Sequence, residues 1–275
     1  MLKPIYLLGL LVAIGFAPRL FAQQTIDSEL GIAVGISSYH GDLNPGNRLA
    51  KSRPALSLLY RHRLNDYVMV RGAVSFGMLA AADSVSKNTY QQYRNLSFRS
   101  NIFEVSGQFD WHFKRFVIGD IKHYLTPYLT SGISVFYFNP KAKLGDEVYK
   151  LRDYGTEGQL SDFTGRKKYK LFQPAIILGG GIKYWAFDKY SFFAEAAYRT
   201  TFTDYLDDVS KTYVDPALLG DPVTRALSDR SPEVGVEPIG IEGKQRGDSS
   251  TRDGYLFITA GITYTIQKKQ CPRSK

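Results

Sequence analysis

The chain has 275 residues with a formal net charge of +9, and its 19 Tyr, 17 Phe and 25 Gly against 3 Met favour strands with close backbone approaches over helices. A single cysteine, Cys271, excludes an intramolecular disulfide and a cysteine-built zinc site. The basic surplus is scattered over loops and the C-terminus rather than interleaved with stacking aromatics, so composition gives no nucleic-acid surface.

Residues 1–22 read as an export signal: Lys3 supplies the positive start, Ile5 to Gly15 the apolar stretch, and Ala22/Gln23 the best cleavage site. That stretch is too short to span a bilayer as a helix, and no later run of about 18 apolar residues exists. From Leu30 the chain takes up strand period. Leu30, Ile32, Val34 and Ile36 alternate with Gly31, Ala33, Gly35 and Ser37, one face suited to lipid and the other to a crowded interior.

Six further segments follow the same rule, at residues 54–64, 67–78, 101–113, 126–138, 174–186 and 190–203. The third of these is the clearest, with Phe103, Val105, Phe109, Trp111 and Phe113 set against Glu104, Ser106, Gln108, Asp110 and His112. The last strand alternates Leu256, Ile258, Ala260, Ile262, Tyr264 and Ile266 with Tyr255, Phe257, Thr259, Gly261, Thr263 and Thr265. Connections of long and short length alternate along the chain, from Ser38–Arg53 and Asn65-Asp66 to Phe187–Lys189 and Asp204–Asp253. A soluble sandwich has no reason to alternate in this way, whereas an outer-membrane barrel has short turns on one side and long loops on the other. The prediction is an all-β, eight-stranded antiparallel transmembrane barrel over residues 23–267, with long extracellular loops and both termini periplasmic.

Eight strands must join first to last, because an unpaired edge in hydrocarbon costs several kcal/mol per polar group. The resulting lumen is just wide enough for side chains to fill it. Arg61, Arg63, Arg71, Lys183 and Arg199 are expected there with Glu104, Asp110 and Glu195. A turn centred on Asp188 puts Lys183 opposite Phe193 and diagonal to Glu195, within reach of a long side chain. Such charges could serve a proton relay or selectivity filter, or pair as a salt-bridged plug.

Other motifs carry less. "LGGGIKY" (178–184) lacks the Lys-Ser/Thr and the helix that a phosphate loop needs. His40, His62, His112 and His123 form no i, i+4 pair, and no G-x-S-x-G occurs. "FTDYLDDVSKTYVDP" (202–216) opens the longest loop with Asp204, Asp207, Asp208 and Asp215. These are candidate ligands for a hard cation, but their spacing matches no calcium loop. The other reading has the four carboxylates capping turns or pairing with Lys211, Arg225 and Arg230. No cofactor is expected.

That segment, with "SSYHGDLNP", "NLSFRSNIFEVSGQ", "TPYLTSGISVFYFNPKAKL" and "GTEGQ", resembles the PorG family of Bacteroidota outer-membrane barrels associated with the type IX secretion system. The resemblance runs from Gly31 to Arg273. It implies a non-enzymatic barrel, held in outer-membrane lipid, that tethers the periplasmic PorK/PorN ring. The basic tail, residues 268–275, offers Lys268, Lys269, Cys271 and Arg273 as docking candidates, or is a solvated end. A small pore or receptor barrel, and a lipid-active enzyme, are the alternative roles.

Overall fold

The computed structural model describes residues 27–46, 49–117, 120 and 122–267. The expected export signal and the basic tail with its docking candidates lie outside the described residues.

Eight long strands build the wall: β1 (Asp27–His40), β2 (Arg53–Arg63), β3 (Val68–Ala82), β4 (Ser97–His112), β5 (Leu125–Tyr137), β8 (Phe172–Phe187), β9 (Tyr190–Thr201) and β10 (Gly254–Gln267). Each pairs antiparallel with its neighbours, β3 pairs β4, and β1 pairs β10 from Asp27↔Gln267 to His40↔Gly254, so the sheet closes. Gly35 sits on this seam because a Cβ there would lie 2.0 Å from the Ile258 carbonyl oxygen.

The two faces follow the predicted alternation. Leu30, Val34, Leu58, Val74, Val105, Trp111, Ile133, Leu178, Ile182 and Phe192 are exposed outward, while Ser75, Glu104, Gln108, Asp110, Thr130, Lys183 and Thr263 are buried inside. On a closed barrel such an apolar exterior faces hydrocarbon, since no soluble protein leaves a belt of this kind bare. Aromatics contact one another across strands in this belt, Phe76 with Phe103 at 5.0 Å and Tyr137 with Phe172 at 5.1 Å between ring centroids.

The β2–β3, β4–β5 and β8–β9 connections lie at the same end as both chain ends of the barrel. The last of these turns at Asp188, which takes the left-handed conformation (φ 44°) that aspartate tolerates. At the opposite end the long loops fold into a head. The head holds α1 (Thr89–Arg94), α2 (Leu151–Tyr154), α3 (Pro222–Ser228) and a hairpin of β6 (Lys141–Leu144) and β7 (Glu147–Lys150) that extends the wall from β4. These short elements carry no sustained alternation, and the eight-strand reading does not contain them. Their core is aromatic: Tyr39, Phe98, Phe136, Phe138, Tyr169, Tyr255 and Phe257 fill the barrel mouth beneath the head.

Candidate functional site

The barrel interior is three tiers of paired charge. Nearest the head, Arg199 holds Glu104 at 3.1 Å, Tyr255 donates to the same carboxylate at 2.6 Å, and the guanidinium lies 4.4 Å over Phe257. At mid-height Arg71 pairs with Glu195 at 2.7 Å and Asp110 at 3.1 Å, and donates to Thr130 at 2.7 Å. Arg61 donates to Asp110 at 2.8 Å and stacks 4.4 Å over Phe193, while Tyr128 donates to Glu195 at 2.8 Å. Towards the short turns Lys183 donates to Glu29, with its ammonium 4.7 Å over Phe116, which is folded up into the barrel from the β4–β5 turn.

Four cations thus meet four anions in a sealed space. Each ion has surrendered its hydration, so each must find a partner of opposite charge or a ring face inside the wall. The predicted lumen residues Arg61, Arg71, Glu104, Asp110, Lys183, Glu195 and Arg199 all point inward and are joined. Arg63 stands at the short-turn rim, 3.9 Å from Asp27 and 4.0 Å from Asp66.

One pairing differs from expectation. Lys183 does lie opposite Phe193, but its ammonium bonds Glu29 rather than the diagonal Glu195. Glu195 is instead occupied by Arg71 and Tyr128. Glu29 lies in β1 before Leu30, so a strand begun at Leu30 leaves it out. It was legible as the inward-phase residue two before Gly31.

The acidic segment after β9 is the keystone of the head. Asp208 accepts from Thr156 and, at 2.8 Å, from Tyr169; its backbone carbonyl accepts from Arg246 at 2.7 Å. Arg246 also reaches Glu157 at 3.1 Å, and Glu157 accepts from the Ser210 backbone N–H at 2.9 Å. "GTEGQ" and "FTDYLDDVSKTYVDP" therefore meet in space.

The Tyr39 hydroxyl lies 2.6 Å from an Asp207 carboxyl oxygen and 2.7 Å from one of Asp253. A hydroxyl has one proton. Both contacts stand together only when one carboxyl keeps its own proton, in line with burial, which pushes Asp253 up to about 7 and Asp207 well above the carboxylate range. Burial also raises Asp204, to about 8, and Asp208, to about 6. Asp215 caps a short turn, accepting from the Ala217 N–H at 2.9 Å.

The cations expected to answer these acids go elsewhere or stay apart: Arg230 pairs with Glu233 at 2.8 Å, and Arg246, which is not among those expected, pairs with Glu157 and bonds Asp208 at its backbone carbonyl. Among the described residues no group of three or more His, Cys, Asp or Glu side chains is arranged to hold a metal ion.

Solved structures similar to this chain include Ail of Yersinia pestis in complex with the heparin analogue sucrose octasulfate (12% identity, 88% of this chain and 100% of that one, TM-score 0.38). They also include the outer membrane protein OprG of Pseudomonas aeruginosa (10% identity, 90% and 98%, TM-score 0.44) and Neisserial surface protein A (11% identity, 86% and 96%, TM-score 0.39). No curated protein matches the sequence. Residues 8–215, well over half of the chain, match the family described as Domain of unknown function (DUF6089), and the chain belongs to that family.

Proposed function

We propose that the chain is a closed, non-enzymatic outer-membrane barrel that serves as an anchor, with its short turns and both termini in the periplasm and its head outside. The observation that carries the reading is the sealed interior. Glu104–Arg199, Glu195–Arg71–Asp110–Arg61 and Glu29–Lys183 block the lumen at three heights, and Phe116 closes it from below. A barrel too narrow to conduct has its two ends and its wall left with which to act.

The finer role follows the motif resemblance: attachment of a PorK/PorN-like periplasmic ring of the type IX secretion system to the outer membrane. The short-turn end and the tail carrying Lys268, Lys269, Cys271 and Arg273 supply the docking surface. Affinity isolation of the full chain from native membranes, followed by mass spectrometry, recovers ring proteins in this reading; their absence removes the ring from it. In planar bilayers the purified barrel passes almost no current.

A second role, a small receptor barrel, is favoured by a polar cleft of about 360 Å³ in the head, between His40–Asp42, Tyr90–Gln91 and Gln245–Arg252. Isolation that returns an extracellular ligand and no periplasmic partner would select it.

A further inference from the structure

On the outer wall, beneath the head, a groove of about 850 Å³ runs over the ends of β2, β3 and β4 and the β6–β7 hairpin. Arg53, Arg99, Lys141 and Lys150 line it, and no carboxylate does. Three of these cations are placed side by side by the sheet register: Arg99 is directly opposite Lys141, and Lys141 directly opposite Lys150. Residues opposite each other on paired strands share a face, and Arg99 is on the outward face of β4, in phase with Asn101 and Phe103.

Like charges set directly opposite destabilise a sheet. Native sheets avoid the arrangement or neutralise it, yet among the described residues no carboxylate lies within ion-pair distance of Arg99, Lys141 or Lys150. Neighbouring Lys143 does have such a partner, Asp146 at 3.4 Å. The three cations therefore form a patch with no counter-charge of its own, open to one from outside the chain.

Position identifies its source. Four residues along β4 from Arg99 stands Phe103, in register with Phe76 on one side and Tyr137 on the other, and Tyr137 in turn with Phe172. This aromatic row marks the edge of the hydrocarbon. Four residues of strand are about 13 Å, or roughly 10 Å of height for a wall tilted about 40°. Long Lys and Arg side chains bend back across such a gap, their stems on apolar wall and their charges at headgroup level. Phe103, Tyr137 and Val148 line the same groove, so a ligand there meets apolar surface below and cations above.

We propose that this groove is a binding site for a phosphate-bearing membrane lipid of the leaflet at the head end, its phosphate held by Arg99, Lys141 and Lys150 and its acyl chains laid against the aromatic row. The site rests on the barrel lying in a bilayer but not on the anchoring role, so it stands or falls separately from ring recovery.

The test is native mass spectrometry of the full chain refolded in zwitterionic detergent, titrated with phosphatidylglycerol, phosphatidylcholine or inorganic phosphate. Phosphatidylglycerol binds as a discrete adduct, and the combined variant Arg99→Gln, Lys141→Gln, Lys150→Gln weakens it roughly a hundredfold. The combined variant Lys167→Gln, Lys168→Gln, Lys244→Gln, which removes three exposed cations elsewhere on the head, leaves it unchanged. Without lipid the first variant melts higher than the parent, since it relieves the repulsion, and with phosphatidylglycerol the order inverts. Equal binding of phosphatidylcholine, equal loss in both variants, undiminished binding in the first variant, or inorganic phosphate binding as tightly as the lipid would each overturn the proposal.

Discussion

The Lys183–Glu29 pair offers the sharpest test of the sealed interior. Both side chains are essentially inaccessible, at 0% and 2% exposure, so Lys183→Met removes the cation bonded to the Glu29 carboxylate in a space without bulk water. Removing one member of a buried pair costs about 3–5 kcal/mol, and the lost ammonium contact with Phe116 adds about 0.5–2 kcal/mol. The folding equilibrium therefore shifts by about a hundredfold or more. Replacing both residues, Glu29→Met with Lys183→Met, removes both desolvated charges and returns stability to within about 1 kcal/mol of the parent, or above it. The assay is urea unfolding of the refolded barrel in detergent, followed by tryptophan fluorescence and by the heat-dependent gel mobility of closed barrels. A single variant as stable as the parent, or a double variant no better than the single, refutes a pairing in which each charge depends on the other.

Ile258→Arg or Leu178→Arg places a cation in the lipid-facing belt and lowers insertion by roughly 2–4 kcal/mol, read as lost heat-modifiable barrel, while Thr259→Ser inside the wall has little effect. Burial raises Asp42 to about 6, Asp253 to about 7 and Asp204 to about 8, above the ordinary value of about 4, so the folded head retains protons that an unfolded loop has released. Head stability is thus greatest in acid and declines as pH rises from about 4 to about 8. Hydrogen exchange over residues 202–253, corrected for intrinsic rates, is slower near about pH 5 than near about pH 8.5, and Asp207→Asn flattens the difference because one member of the pair on Tyr39 no longer ionises. An epitope within Gly235–Ser250 is labelled on intact cells and one appended after Lys275 is not; the reverse pattern inverts the orientation. Deleting Lys268 to Lys275 reduces recovery of ring proteins without loss of folded barrel, and unchanged recovery shifts the docking surface to the β4–β5 turn.

The wall was legible because lipid and lumen impose opposite demands on successive residues. In β4 every second residue from Phe103 to Trp111 is exposed and its alternate buried, as the alternation predicts. Legibility fades where the strands leave the hydrocarbon. The upper part of β3, Leu79 to Ala82, and of β4, Ser97 to Ser100, faces the head's own core and solvent, so period 2 no longer separates apolar from polar. The β6–β7 hairpin is hidden for the same reason, since Lys141 and Lys143 on its outer face look like loop. In the acidic segment the residue types were informative but their partners were not. Asp207 finds Tyr39 168 positions away and Asp208 finds Thr156 52 away, separations that no local spacing encodes.

The cross-links of the head also bear on the order of events in biogenesis. Tyr39 reaches Asp253 across 214 positions, and the carboxylate of Asp42 receives the Asp248 N–H across 206. These bonds close the head end of the same seam that β1 and β10 zip along their whole length. A chain must search a loop of that size before any of them forms, and non-local pairing of this kind is slow. The head therefore matures only as β10 arrives, and its completion latches the seam just formed. A barrel lacking its final strand also lacks Tyr255 and Phe257, so Phe136 at the mouth loses its ring contact with Tyr255 while the facing edges of β1 and β9 stay unpaired.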